Sequence, residues 1–256
     1  MVTVVLHPQV YLVTTPVMVN GEMSKFFQEH KDSTLDQQLI GTDQSSVIVE
    51  TAARLCYDSF GKGRTDIHDF LNNLLDKKHG SVFEHINYGF LFINISRSCS
   101  LEIIRHRAGF SYSQRSQRFV DELPLKVVMP PEIMSSEEEV QETWLSSMVK
   151  TEKRYKTLLA MIDEEVEDPS WVNRRKRIRQ SARSILPNCV ATNIMVTGNV
   201  RSWRHFIEVR ASPDADAEIR SLALEVYRKL SAVAPMMFAD MAIVNDDYVD
   251  VKYSKI

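Results

Sequence analysis

The chain has 256 residues, of which 44% are hydrophobic and 25% are charged, so it can bury a substantial core. Its formal net charge of −3 argues against a dedicated nucleic-acid-binding protein, whose domain would normally be strongly basic. The three scattered cysteines provide neither a disulfide framework nor a zinc-binding spacing. The sequence has neither the pattern of a signal peptide nor an apolar run of membrane-spanning length. We therefore expect a cytoplasmic protein without membrane association or bound metal.

The N-terminal part of the chain is expected to contain short strands and two helices. Residues 2–6 and 10–13 are β-branched and apolar, which predicts two short strands or a hairpin. Residues 16–44 are polar and irregular, which predicts a loop or a peripheral helix. One helix is predicted from Ser45, and a second is predicted to be capped by Thr65, because apolar residues recur at helical spacing after each.

The middle of the chain is expected to form a strand and then a short helix. A polar turn at 79–85 leads into a strand predicted over 86–95, where apolar residues alternate with polar or small ones. A helix that begins near Ser96 is expected to end at Gly109, a favourable residue beyond a helix C-terminus. This assignment puts residues 105–107 on the last helical turn, where positive charge complements the helix dipole.

The C-terminal half is expected to be mainly helical. A strand is predicted at 125–129, before a long helix capped near Ser135. Further helices are predicted from Asp168 to Pro187, over 199–210, and from a cap at Ser212 through Ala232. Because no internal repeat or clear linker is present, we predict a single domain over residues 1–256, in which 1–45 are a variable N-terminal segment.

The segment Arg105–Phe119 has a composition that suits no core-facing strand or helix. It contains four arginines, one histidine, three serines and two glutamines. Guanidinium and hydroxyl groups at this density suit phosphate or pyrophosphate, to which arginine donates paired, charge-assisted hydrogen bonds. The alternative is a solvated basic loop. A second cluster contains Arg183, Asn199 and Arg210, together with Arg201 and His205, which share one helix face by their spacing.

Common cofactor and catalytic motifs are missing from the sequence. No glycine-rich phosphate loop of the Rossmann or P-loop kind is present. His79 and His85 flank Glu84 without the spacing of a zinc protease, so hydrogen-bonding roles are preferred over metal binding. Cys189 has no neighbouring histidine to activate it. The basic residues 174–179 are best explained as a solvated helix face, with a nucleic-acid-binding patch as the alternative.

Four ordered segments resemble the flavin-dependent thymidylate synthases. Arg105-His106-Arg107 with the following residues 110–119 resembles the signature motif of that family. Residues 79–85 resemble its His-x-Ser/Thr-x-Phe-Glu-His turn, and 182–187 resemble its Ala-Arg-x-x-Leu-Pro segment. Residues 199–210 resemble its Asn-x-Arg-Ser…Arg helix. The matches cover about Ala52 to Phe238.

The resemblance implies an α+β domain with a central, mostly antiparallel sheet flanked by helices. It implies reductive methylation of dUMP to dTMP, in which methylenetetrahydrofolate supplies the carbon, FAD carries the hydride and NADPH reduces the flavin. The expected partners are dUMP and folate, with no stable nucleic-acid partner. The family forms homotetramers whose active sites are shared between subunits, so we expect the same assembly here.

The resemblance also assigns roles to individual residues. Arg210 would be the catalytic residue, contacting the pyrimidine and favouring its ionised form. The residues implied for flavin binding are Ser81, Arg105, His106, Arg107, Gln114, Asn199, Arg201 and His205. The residues implied for nucleotide binding are Glu102, Arg105, Gln114, Arg115, Ser116, Gln117, Arg118, Arg183 and Arg210.

The chain departs from the family pattern at three places. Eight residues separate Arg107 from Ser116, one more than is usual, so either Arg115 replaces the nucleotide-contacting serine or Ala108-Gly109 absorbs the insertion. We prefer the second alignment, because glycine tolerates the backbone that an insertion requires. Glu102 stands where glutamine is common, and Phe119 stands where tyrosine is usual.

Two other functions are kept as alternatives. One is flavin- and folate-dependent transfer of a methyl or hydroxymethyl group to another pyrimidine nucleotide, which the insertion and Glu102 motivate. The other is a non-catalytic nucleic-acid-binding protein that uses the basic residues 174–183 and the loop at Arg105. It predicts salt-dependent binding to RNA or DNA and no bound flavin.

Overall fold

The computed structural model describes residues 1–39 and 43–255. Within this part of the chain eight strands form three sheets. The strands are β1 (Thr3–Val5), β2 (Gln9–Thr14), β3 (Asn87–Ser96), β4 (Phe110–Gln114), β5 (Lys126–Val128), β6 (Ala191–Asn199), β7 (Met241–Val244) and β8 (Tyr248–Val251). The largest sheet has the order β2-β3-β6-β4. β1 pairs with β5 in parallel, and β7 pairs with β8 in antiparallel orientation.

The described residues also contain ten α-helices and three short 3₁₀ helices. The α-helices are α1 (Asn20–Glu29), α2 (Ser33–Gln38), α3 (Gln44–Cys56), α4 (Ile67–Asp76), α5 (Arg97–Ile103), α6 (Pro131–Met134), α7 (Glu138–Glu165), α8 (Trp171–Ala182), α9 (Val200–Arg210) and α10 (Ala217–Val233). The 3₁₀ helices are Gly80–His85, Arg183–Ile185 and Pro235–Phe238. None of the helices in the described ranges is long and apolar enough to cross a membrane.

The N-terminal segment differs from its prediction in two respects. The hairpin alternative is wrong, because β1 pairs with β5 whereas β2 belongs to the four-stranded sheet. The segment 16–44 forms the helices α1 and α2, whose Phe27 and Leu35 are fully buried, so it contributes to a core. The part of this prediction that falls on residues 40–42 lies outside the described residues.

The caps of α3 and α4 are aspartates and not the predicted hydroxyl residues. The Asp43 carboxylate accepts hydrogen bonds from the backbone N–H groups of Ser45 and Ser46 at 3.0 and 3.2 Å. Asp66 accepts from Asp69 N at 2.9 Å. Both helices therefore begin close to the predicted position, but aspartate supplies a charged acceptor that also favours the positive end of the helix dipole.

The helix predicted to hold residues 105–107 ends earlier than expected. Ser96 caps α5 as predicted, but α5 ends at Ile103, so residues 105–107 lie in a loop and their placement on a last helical turn was wrong. The serine-rich residues beyond form β4, a strand that was not predicted, although their composition suits no core-facing strand. Strand pairing is compatible with this composition because Ser111 and Ser113 face solvent. The residues that alternate with them, Phe110, Tyr112 and Gln114, are half-buried.

In the second half, β5, α8 and α9 are confirmed. Ser170 caps α8, and its side-chain oxygen accepts from Asn173 N. The predicted caps of α7 and α10 are wrong, because these helices begin at Glu138 and Ala217. The strands β6, β7 and β8 were not predicted. The α+β prediction with an antiparallel sheet is confirmed.

The chain divides into two compact units, each of which contains discontinuous segments. The first unit consists of Met1–Gln9, Phe92–Arg105 and Tyr112–Met195. Leu125, Val127, Met148 and Val190 form a hydrophobic cluster within it, against which Val2, Val4, Trp144, Leu186 and Cys189 pack.

The second unit consists of Val10–Leu91, His106–Ser111 and Val196–Ile256. Trp203 of α9 is at its centre: its ring packs edge-on against Phe90 at 4.9 Å, and its Nε1–H donates to the carbonyl of Tyr88 at 3.1 Å. Arg204, also buried, forms two 2.7 Å contacts with the carboxylate of Asp240. A buried pair with this fork geometry satisfies both charges, so α9 is held rigidly.

Candidate active site

The loop at residues 107–109 is attached to the start of α9. The Asn199 side chain caps the helix by accepting from Ser202 N at 2.8 Å. Ser202 Oγ in turn donates to the carbonyl of Ala108 at 2.9 Å, and Asn199 N donates to the carbonyl of Gly109 at 3.3 Å. The residues that begin the helix therefore also fix the loop.

Gly109 makes this close approach feasible. Its φ is +73°, a conformation that residues with a side chain rarely adopt. A Cβ at this position would lie 2.6 Å from Asn199 Nδ2 and would also collide with Ser202 Oγ. The extra residue in the family signature thus coincides with a turn that requires glycine. This geometry supports the alignment in which Ala108-Gly109 absorbs the insertion.

A hydrogen bond joins the segment Arg105–Phe119 to the second cluster. Arg210, the last residue of α9, donates from Nε to His106 Nε2 at 2.9 Å. The His106 ring packs edge-on against Phe206 at 5.1 Å and lies 5.9 Å from the His205 ring. The Phe110 ring is also edge-on to the His106 ring, with their centroids 6.4 Å apart.

The environment of His106 favours its neutral form. Burial, then the charge of Arg210 and then the neighbouring His205 together lower the pKa of His106 from 6.5 to about 4. At neutral pH the imidazole is uncharged, and Nε2 accepts the Arg210 hydrogen bond, so the proton resides on Nδ1. The pair is therefore one cation with a neutral acceptor.

The remaining residues predicted for flavin binding are solvent-accessible to different degrees. Arg201 forms a 2.6 Å ion pair with Glu84, in which both side chains are nearly half exposed. Ser81 is exposed in the 3₁₀ helix Gly80–His85, and His205 is exposed on α9. Arg107 is exposed in the loop that precedes Gly109. The second unit thus holds most of the predicted flavin residues, whereas Arg105 and Gln114 lie in the first unit.

In the first unit, Gln114 is fixed by neighbouring hydroxyl groups. Its Nε2 donates to Ser100 Oγ at 2.8 Å and lies 3.5 Å from Thr192 Oγ1. Ser100 and Thr192 are buried. A carboxamide anchored in this way presents its oxygen in a defined direction, as a nucleotide-binding group requires.

Arg115 is engaged by a buried carboxylate. Its Nη2 lies 3.3 Å from Glu122 Oε2 and donates to the carbonyl of Asp121 at 2.9 Å. Burial raises the pKa of Glu122, although Arg115 and then Arg97 act in the opposite direction. Because Arg115 neutralises Glu122, a role in the place of the nucleotide-contacting serine is disfavoured.

The other predicted nucleotide-binding residues surround the turn after β4. Ser116 Oγ accepts from Arg118 N at 3.3 Å, and the exposed Arg118 guanidinium lies 5.9 Å from the Phe119 ring. Gln117 is buried. Arg183 follows α8, half-buried. Glu102 is half-buried on α5, where its carbonyl accepts from Arg105 N.

Arg97 was not identified from the sequence as a residue that interacts electrostatically with the predicted nucleotide-binding residue Arg183. Burial lowers the pKa of Arg97, with Glu122 opposing that shift and Arg183 adding to it, so the three charges act on one another. The available signal was its position in the first turn of α5, where a cation opposes the helix dipole. Thr192 was missed because β6 was not predicted.

The comparisons with known proteins identify the family of the chain. The family model described as thymidylate synthase complementing protein matches residues 38–236. Over 205 residues the chain is 45% identical to the flavin-dependent thymidylate synthase of Mycobacterium avium (strain 104), covering 78% of this chain and 81% of that relative. The chain belongs to the flavin-dependent thymidylate synthase family. The protein of Mycobacterium tuberculosis (strain ATCC 25618 / H37Rv) with the same description is 44% identical over the same shares.

A solved structure with a similar fold is more distant in sequence. The UMP/dUMP methylase PolB from Streptomyces cacaoi, bound with 5-Br dUMP, aligns with a TM-score of 0.66 at 17% identity. The alignment covers 93% of this chain and 95% of that chain. At this identity the likeness shows the fold of this flavin-dependent thymidylate synthase family member, and the family membership shows that the chain is an enzyme.

Replacing Gly109 by alanine should destabilise the protein more than replacing Gly63 by alanine. Both glycines have positive φ, but a Cβ at Gly63 meets nothing within 4 Å. Gly63→Ala therefore incurs backbone strain alone, whereas Gly109→Ala adds a collision worth about 1–3 kcal/mol. Urea unfolding of the two variants measures the difference, and equal losses would contradict the tight loop attachment.

The protonation of His106 should contribute to acid destabilisation. The pKa of His106 is 6.5 unperturbed and about 4 in the folded protein, so between these values the unfolded chain binds more protons. The free energy of unfolding should therefore fall as the pH decreases from about 6.5 to about 4. NMR titration of the His106 ring should give the folded midpoint near the lower value, and an ordinary midpoint would refute the assigned neutral state. His106→Gln should lack this component of the pH dependence.

Proposed function

We propose that this enzyme methylates dUMP to dTMP, with methylenetetrahydrofolate as the carbon donor, FAD as the hydride carrier and NADPH as the reductant. The observation that supports it most directly is the hydrogen bond between Arg210 and His106, which joins two motifs 104 residues apart. It orients the guanidinium through an acceptor that carries no charge. Such a cation suits a pyrimidine carbonyl that becomes negative when the ring ionises.

Arg210 would act on the pyrimidine by charge stabilisation. A fixed guanidinium that donates to the ring carbonyl stabilises the ionised ring more than the neutral one, which makes the ring carbon more nucleophilic toward the transferred carbon unit. His106 lowers the motional freedom of this guanidinium without neutralising it. An acidic partner in place of His106 would have cancelled much of that charge.

The nucleotide would be held by residues around β4 and after α8. Gln114, held by Ser100, would contact the nucleotide through its carboxamide oxygen. Arg118 and Arg183 would supply positive charge to the phosphate, and Ser116 would donate its hydroxyl hydrogen. Arg115 is occupied by Glu122 and is therefore given a structural role in this proposal.

The flavin would be held by Ser81, Arg105, His106, Arg107, Asn199, Arg201 and His205. The donor set suits this group, because exposed guanidinium groups match its diphosphate and neutral imidazole, amide and hydroxyl groups match its polar ring edges. A bound flavin would supply hydride transfer to the new carbon. The chain's own contribution would be binding, orientation and the electrostatic effect of Arg210.

The assembly proposed with this function is a homotetramer with active sites shared between subunits. Its ligands would be small molecules, dUMP and a folate, and no stable nucleic-acid partner is proposed. With shared sites, the nucleotide-binding and flavin-binding residues need not converge within one chain. Sedimentation analysis of the purified enzyme measures this assembly.

A second candidate substrate is UMP. The methylase PolB, which has a similar fold, is described as acting on UMP and dUMP, and one of its structures contains 5-Br UMP. The deciding experiment offers dUMP, UMP and dCMP in turn to the purified, flavin-loaded enzyme with methylenetetrahydrofolate and NADPH. Mass spectrometry should find dTMP from dUMP. Its absence would refute the first proposal, and methylated UMP in its place would establish the second. Purified protein that shows no flavin absorbance even after addition of FAD would refute both.

Arg210→Ala should reduce turnover by about 10²- to 10³-fold, as expected for the loss of a donor aimed at developing negative charge. The flavin absorbance of the purified protein should persist, because the proposed flavin-binding residues remain. Arg210→Lys is the matched control, since it keeps the charge but loses the fork and should recover only part of the activity. Turnover retained in Arg210→Ala would exclude the proposed role.

Ser116→Ala should weaken dUMP binding about 10- to 150-fold, since a hydrogen bond to a charged group contributes about 1.5–3 kcal/mol. Flavin affinity should change little. Arg115→Ala is the matched comparison and should affect dUMP less than Ser116→Ala does, because Arg115 pairs with Glu122. Isothermal titration with dUMP distinguishes them, and the opposite order would favour the alignment that places Arg115 at the nucleotide.

A further inference from the structure

We propose that His106 is the positioning residue of Arg210, and that it acts by accepting the Nε hydrogen bond that fixes the plane of the guanidinium. The inference rests on the proposed function, because it concerns the arginine assigned to the pyrimidine. It assigns His106 a role on the arginine in addition to the flavin contact that the sequence motif implies.

The geometry of arginine explains why an acceptor at Nε orients the whole guanidinium. The guanidinium is planar, and its Nε–H lies in the plane of the group, beside the end of the aliphatic chain. A 2.9 Å hydrogen bond from Nε to His106 Nε2 therefore defines the plane in which both terminal nitrogens lie. Because Arg210 is the last residue of α9, the helix fixes its backbone and His106 restrains the far part of the side chain.

His106 is itself rigidly held. Its ring is packed edge-on against Phe206, which belongs to the same helix as Arg210 and contacts the buried Trp203 at 5.6 Å. Phe110, which flanks the ring on the loop side, packs against Trp203 at 4.8 Å. The backbone beyond His106 is bound to α9 through Ala108 and Gly109, as described above. The acceptor and the donor thus lie on two segments that cannot shift independently.

The charge state of the pair agrees with this role. The Arg210 guanidinium and the His205 imidazole near His106 both oppose a positive charge on the ring. A protonated His106 would have no acceptor at Nε2 and would repel Arg210. A neutral ring keeps the acceptor at physiological pH and does not itself neutralise the charge of Arg210.

The test measures ionisation of a bound nucleotide, which does not require turnover. Flavin-loaded wild-type enzyme is saturated with 5-fluoro-dUMP and titrated with base while the ¹⁹F NMR signal of the ligand is followed. Ionisation releases the N3 proton to solvent and shifts the signal. We expect the bound ligand to ionise at a lower pH than the free nucleotide, because Arg210 stabilises the anion. A ligand that does not bind, or that ionises as it does in free solution, would overturn both the proposed function and this inference.

Two variants of His106 separate positioning from other uses of the ring. Both His106→Gln and His106→Asn remove the imidazole, so an imidazole contact with the flavin is lost equally in the two. The longer glutamine can place its carboxamide oxygen near the former Nε2, whereas asparagine is too short. We expect His106→Asn to bring the ligand's pKa back toward its free value and to reduce kcat about 10- to 100-fold. His106→Gln should restore most of both.

The same measurement in the Arg210→Ala variant shows whether His106 affects the ligand's pKa through Arg210. If His106 acts through Arg210, adding His106→Asn to Arg210→Ala should leave the ligand's pKa unchanged. A further shift in the double variant would show that His106 acts on the nucleotide by another route and would overturn the inference. A wild-type ligand pKa in His106→Asn alone would overturn it as well. Circular dichroism of each variant identifies any that is misfolded, and for such a variant the His106→Gln result is decisive.

Discussion

The attachment of residues 106–110 to α9 is the constraint on which the arrangement of the second unit's predicted site residues depends. Backbone and hydroxyl hydrogen bonds hold the loop at its middle, and aromatic packing between Phe110 and Trp203 holds it at its end. The first residue of the loop, His106, is thereby brought to the far end of the helix, beside Arg210. Glycine at position 109 is required for the approach, so a sequence irregularity in the family signature coincides with the tightest contact of the site.

The arginines differ in whether the group that accepts their hydrogen bonds is a charged carboxylate or a neutral imidazole. Arg54, Arg204 and Arg115 each form an ion pair with a buried carboxylate, those of Glu50, Asp240 and Glu122. Their charges are compensated within the protein, which favours structural roles. Arg210 instead donates from Nε to a neutral imidazole, which does not itself cancel its charge. The distinction between arginines that stabilise the fold and those suited to anions therefore depends on the partner that each side chain meets.

Strong local signals explain the elements that were predicted correctly. Asp168 and Ser170 mark the start of α8, and Asn199 marks the start of α9. Short polar side chains favour these positions because their oxygens accept hydrogen bonds from backbone N–H groups of the first helical turn. The early end of α5 was not predicted, because Gly109 lies in the loop beyond α5 and does not follow the helix C-terminus directly. β6 was missed because Thr192, Asn193 and Thr197 interrupt its apolar residues, although its Ala191–Asn199 segment is largely buried. Its polar side chains are satisfied by contacts that are distant in sequence, such as that between Asn193 and Asn94 N.

The sequence by itself determined the family and the set of candidate residues, because the motif residues and their order are properties of the linear chain. It also indicated that two groups of arginine and polar residues serve anionic ligands. Only the tertiary structure decided which of them touch: that His106 accepts from Arg210, that Arg115 pairs with Glu122 and that Gly109 lies against α9. The physical reason is separation along the chain. Local periodicity and capping act over a few residues, whereas a hydrogen bond between residues 106 and 210 and the protonation state that supports it exist only after the loop packs on the helix.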